Sequence, residues 1–102
     1  MMITEIKPPL PGRLLVSDYL EPRQLSINAL ARQVGVSRKH LSNIVNGRVR
    51  ITPPIAVRLA RALDTSPSLW VNLQSAVDIF EAEQEFREGV GLEAGRVGLE
   101  SD

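Results

Sequence analysis

Cysteine is absent from this 102-residue chain. Disulfides, thiol catalysis, thiolate-held zinc and iron–sulfur clusters are excluded with it. Histidine occurs once, at His40, so multi-histidine metal sites are excluded too, and neither a metal nor a cofactor is expected. No apolar run nears the roughly 18 residues that a membrane-spanning helix needs. The opening MMITEIKPPLP lacks the hydrophobic region of a signal peptide, so the expected compartment is the cytoplasm, with no membrane partner. No segment alternates like a strand, and no long-period repeat occurs. Carboxylates are missing from the whole stretch between Glu21 and Asp64.

What is present is globular. Apolar residues make up 43% and charged residues 24%, outside the range of disordered chains. The length fits one domain with one modest core. Formal net charge is zero, yet it is split along the chain. Residues 1–63 carry ten basic groups against three acidic ones, a net +7. Residues 64–102 carry two against nine, a net −7. The basic part suits a polyanion, and the acidic part suits a cationic partner or plain solvation. An accidental split of surface charge stays open on charge alone.

Breakers and caps divide the chain into helices. The prolines at Pro8, Pro9 and Pro11 mark residues 1–10 as a flexible N-terminal arm. Pro11-Gly12 opens a helix that Pro22 ends, with Leu14, Leu15 and Tyr19 able to share a face. Ser26 caps INALARQV, in which Leu30, Ala31 and Val34 form a stripe and Gly35 ends the helix. Ser37 caps RKHLSNIVN, which stops at Gly47. Thr52-Pro53 and Ser66-Pro67 each place a cap residue before a helix-opening proline. The helix after Thr52 stacks Ala56, Leu59, Ala60 and Leu63 on one face. The next runs unbroken from Ser68 to about Phe86. Glycines thin out helix propensity after that, and residues 87–102 are expected to be a mobile acidic tail.

Two short helices joined through a glycine turn follow the helix-turn-helix plan. Ala31 is small where the second helix crosses the first. Gly35 turns without steric cost, Val36 plugs the core, and Leu41, Ile44 and Val45 form the inner face of the second helix. At about 100° per residue, Lys39, Ser42, Asn43 and Asn46 fall on its outer face, with Arg38 at the flank. That face has cations, amides and a hydroxyl but no carboxylate. Cations attract phosphate, and Arg and Asn pair bidentately with guanine and adenine edges. A solvated face ordinarily mixes both signs, so double-stranded DNA is the expected partner.

The segment ALARQVGVSRKHLSNIVNG resembles the helix-turn-helix of the Xre (Cro/C1-type, lambda-repressor-like) regulators. Around it, YLEPRQLSINALA and ITPPIAVRLARALDTSPSLWVNLQ are similar to HigA-type antitoxins, most specifically in TSPSLWVNLQ with Trp70, Asn72, Leu73 and Gln74. The resemblance covers about residues 10–82. It implies an all-α, five-helix domain, a homodimer, a palindromic operator and capture of a small RelE/HigB-like ribonuclease toxin. The toxin follows from the resemblance alone. Two positions depart from the family pattern. Leu10-Pro11-Gly12-Arg13 stands where many relatives have His-Pro-Gly-Glu. Ile27 stands where many have a phosphate-bracing Gln, with Asn28 beside it as a replacement.

Site residues follow from this reading. Arg38, Lys39, Ser42, Asn43 and Asn46 form the DNA face, and Arg48 and Arg50 add phosphate contacts from the loop beyond it. Asn46-Gly47 is also a helix stop. His40 reads as a surface or phosphate-side residue. Trp70, Leu73, Val77 and Phe80 are core by pattern. The surplus at Ile79, Phe80 and Phe86 is the expected dimer interface. Glu81, Glu83, Glu85 and Glu88 suit a solvated helix end or attraction to a cationic toxin. Asp78 with Glu81 or Glu85 pairs carboxylates without any basic or metal-binding helper, and Ser37 and Ser42 lack an orienting third group, so no enzyme is expected. The domain proper is expected over residues 11–86. The competing functions are a phage- or plasmid-type repressor without a toxin, and a toxin-sequestering module with weak DNA binding.

Overall fold

The computed structural model describes residues 7–89. Most of the expected tail and residues 1–6 of the expected arm lie outside that range. Among the described residues the fold is all-α, with five helices and no strand. Helix α1 covers Pro11–Leu14 and continues as a π-helical turn over Leu15–Leu20. Then come α2 (Ile27–Val34), α3 (Arg38–Val45), α4 (Pro53–Leu63) and α5 (Pro67–Arg87). No described helix is long and apolar enough to cross a membrane. The chain divides after Ser75 into two compact units, one being Pro9–Ser75 and the other including residues 76–89.

The core of Pro9–Ser75 draws on every helix. Leu15, Leu30, Leu41, Leu59, Leu63 and Trp70 are its largest fully buried side chains. Each contributes on the order of 1.5–3 kcal/mol through burial. The indole of Trp70 donates from Nε1 to Thr65 Oγ1 at 2.8 Å, so the one polar atom of the largest core residue is satisfied. Its ring lies 5.4 Å from that of Tyr19. Leu73 is half-buried against the same cluster, and Val77, in the second unit, is buried.

The first helix differs from its expected α geometry. Glu21 N–H donates to Val16 O at 2.9 Å, a five-residue step. That wider turn carries Leu20 round to the side of Leu15. The buried pair is therefore Leu15 and Leu20, while Leu14 and Tyr19 are half-buried. Leu10 supplies the extended N-cap of α1, and its carbonyl accepts from Arg13 N–H at 3.0 Å. Thr52 is the extended N-cap of α4, but its hydroxyl makes no capping bond. Pro54, at the second helical position, has no N–H, so one of the two donors that an N-cap hydroxyl accepts from is missing, while the Ile55 N–H remains.

Candidate nucleic-acid interface

Local rules build the α2–turn–α3 hairpin. Ser26 Oγ accepts from Ala29 N–H at 3.0 Å, and Ser37 Oγ accepts from His40 N–H at 3.0 Å. Each serine satisfies a donor that the first helical turn leaves without a backbone partner. Gly35 closes α2 at φ 86° with its N–H on Ala31 O at 2.8 Å. Val36 N–H donates to the same carbonyl at 3.1 Å. A side chain at position 35 would be strained by φ and would meet Arg58 Nη1 at 2.7 Å. That guanidinium is itself engaged, donating to Val34 O at 3.1 Å.

Ala31 is 2% exposed at the helix crossing, and Val36 is half-buried against the core. On α3, Leu41 and Ile44 are buried and Val45 is half-buried. Arg38 and Lys39 are exposed on the first turn, while Ser42 and Asn43 are half-buried. Asn46 is exposed but folded back, its Nδ2 donating to Ser42 O at 2.9 Å and lying 3.4 Å from Ser42 Oγ. The same carbonyl accepts the Asn46 backbone N–H at 3.0 Å, so the amide adds a second bond at the helix end. His40 is half-buried on the same helix.

The loop after α3 is ordered from both sides. Asn43 O accepts from Arg48 N–H at 2.9 Å and from Val49 N–H at 3.3 Å. Ile51 N–H donates to Gln74 Oε1 at 2.9 Å, and both residues are buried. Exposure alternates along the loop: Arg48 and Arg50 face out, while Val49 and Ile51 face in. Both arginines are held on the outside by this anchoring. Ile79 and Phe86, expected at a dimer interface, are 58% and 57% exposed, and Phe80 is half-buried.

Residue pattern gave no role to Gln74 or Gly12. Gln74 sits four residues after Trp70 and three before Val77, a polar side chain at a core register, and that mismatch was its signal. Gly12 has no comparable mark. A Cβ there would collide with the carbonyl oxygen of Val45, so α1 packs backbone to backbone on the C-terminal end of α3. Two of the ten basic groups of residues 1–63 are structural clips. Arg23 donates from Nη2 to Leu63 O at 3.2 Å and lies 5.5 Å over the Tyr19 ring, and Arg58 closes α2 as described. Among the described residues no cluster of acidic, histidine or cysteine side chains is arranged to hold a metal.

Residues 16–70 match the helix-turn-helix family model HTH_3. The chain is similar to the HTH-type transcriptional regulator YbaQ of Escherichia coli K12, with 43% identity over 79% of this chain and 72% of that protein. It is also similar to antitoxin HigA-1 of Vibrio cholerae, with 39% identity over 86% and 83%. Among solved structures, Pseudomonas aeruginosa antitoxin HigA with the higBA promoter superposes at a TM-score of 0.73 and 34% identity, covering 86% of this chain and 94% of that one.

Proposed function

The chain belongs to the HTH_3 helix-turn-helix family, and from that membership we propose that it is an antitoxin that binds DNA as a dimer, represses its own operon and neutralises a small RelE/HigB-like ribonuclease. Its family consists of DNA-binding regulators and antitoxins, not enzymes. The observation that carries the DNA reading is the exposure of Arg38 and Lys39 at the capped start of α3, in a stretch with no carboxylate between Glu21 and Asp64. Helices of this type enter the major groove with their N-terminal end. Arg38 and Asn43 then face base edges, with Ser42 beside them. Lys39, Arg48 and Arg50 take phosphates, which set position without specifying sequence. Asn46 holds the helix end beside those phosphates.

Two copies placing α3 in successive major-groove turns would read an inverted repeat with half-sites about 34–36 Å apart. The dimer contact is assigned to Ile79, Phe80 and Phe86, apolar side chains among Glu81, Glu83, Glu85 and Glu88, with Arg87 the one cation beyond Ser75 among the described residues. Support for the toxin comes from the antitoxin name of the Vibrio cholerae relative and from charge. Ribonucleases must approach a polyanion and tend to be cationic, so an acidic surface raises their on-rate.

Co-expression with the neighbouring gene product tests the antitoxin role. Cells carrying both are expected to grow where cells carrying the neighbour alone arrest. Failure of the full chain to protect them leaves the second reading, a repressor without a toxin. The regulator name of the Escherichia coli relative favours that reading.

A further inference from the structure

Among the described residues three large apolar side chains are exposed: Val57 at 43%, Ile79 at 58% and Phe86 at 57%. Val57 lies on α4, and the other two lie on α5 beyond Ser75. Two grooves of about 350 and 450 Å³ flank Val57, and Val57 and Arg61 line both. Arg58 adds a second cation to one, and Asp64 is the single carboxylate on the other. The α5 stretch has the opposite charge: Glu81, Glu83, Glu85 and Glu88 surround its apolar residues. Ile79, Glu83 and Phe86 recur at i, i+4 and i+7, so they share one helix face.

We propose that the Val57–Arg61 face of α4 receives the Ile79–Phe86 stretch of α5 from a second copy of this chain. The assignment rests on the dimer reading above and adds the surface that the apolar side chains enter. Ile79 and Phe86 fill the grooves on either side of Val57, and Glu83 between them meets Arg61. A twofold axis repeats the contact, so each copy gives one α5 face and receives another. All three exposed apolar residues are then covered in both copies. A cationic toxin is the poorer occupant of this face, because Arg58 and Arg61 would repel it.

Sedimentation equilibrium of the full chain at micromolar concentration tests the proposal, with circular dichroism as the check on folding. Val57→Asp, Arg61→Glu and Phe86→Asp are each expected to weaken dimerisation at least tenfold with helicity unchanged. Combining Arg61→Glu with Glu83→Arg restores opposite charge at both symmetric contacts and is expected to recover the dimer. That recovery also separates pairing from misfolding, since a damaged α4 would not be repaired by a change on α5. A dimer that is lost in Phe86→Asp but untouched by Val57→Asp and Arg61→Glu overturns the proposal and leaves the dimer reading standing. Failure of Glu83→Arg to rescue also overturns it. A dimer indifferent to all three single substitutions also overturns the assignment of Ile79, Phe80 and Phe86 to the contact, and a full chain that is monomeric at micromolar concentration overturns the dimer reading itself.

Discussion

The α2–α4 region and the end of α5 use the same residue classes in opposite ways. Around α3, every polar group with a structural task has a named partner: Ser26 and Ser37 on amides, Arg58 on Val34 O, Gln74 on Ile51 N–H. Charge left over from those tasks points outward, as Arg38, Lys39 and Arg48. Beyond Ser75 the pattern reverses. Large apolar residues, Ile79 and Phe86, are exposed, and carboxylates surround them. A rigid scaffold that displays charge suits a surface that must hold its geometry against DNA. An exposed apolar stripe suits a surface completed by another chain. Substitutions should separate the two: at the partnered and buried positions of the first region they cost stability, and at Ile79 and Phe86, with the Val57–Arg61 face proposed to receive them, they cost association.

The largest loss of stability is expected from Gly12→Ala. Its Cβ would meet backbone, not a flexible side chain, so α1 and α3 must separate. Overpacking of this kind costs about 1–3 kcal/mol. The small helix-propensity gain of alanine offsets only part of that. Thermal unfolding should show a Tm lower by several degrees, at roughly 4–8 °C per kcal/mol for a domain of this size. An unchanged Tm would mean that the two helices are not held that closely.

Next comes Gln74→Leu. It leaves the Ile51 amide buried without its side-chain acceptor, a cost of about 1–3 kcal/mol. The loop that displays Arg48 and Arg50 loses its anchor with it. Operator affinity is therefore expected to fall further than stability alone explains when both are measured below the melting range. Equal binding by a folded Gln74→Leu protein would detach the loop from the interface.

The smallest effect on stability belongs to Phe86→Ser, expected within about 0.5 kcal/mol as for other exposed sites. Its effect on association should be large, with operator binding turning steeply dependent on protein concentration. A clear fall in Tm with association unchanged would reverse the assignment of the two regions.

Much of this was legible in the residues because the signals are local. Ser26, Gly35 and Ser37 sit at the positions their own chemistry favours, so α2 and α3 fall where the pattern puts them. The π-helical turn at Leu15–Leu20 was not legible. Its register depends on which leucine reaches the core, and Leu15 and Leu20 at a five-residue spacing resemble no α-helical stripe. Gly12 was hidden because its reason lies 33 positions away, at Val45. Arg23 and Arg58 entered the reading only through the +7 of residues 1–63, because a charge in a sequence does not show whether a carbonyl already holds it. Asn46 was read with two tasks, and its bonds to Ser42 give weight to the helix end.

The start of α3 is proposed to read sequence while the loop behind it supplies general attraction. Binding of the Arg38→Ala and Arg48→Ala proteins to operator and to unrelated DNA, across a salt series, tests it directly. Arg38→Ala should lose about 1–3 kcal/mol on operator and little on unrelated DNA, so that discrimination shrinks. Arg48→Ala should weaken both alike and lower the salt slope by about one. Unchanged discrimination in Arg38→Ala, together with an unchanged slope in Arg48→Ala, would contradict the account.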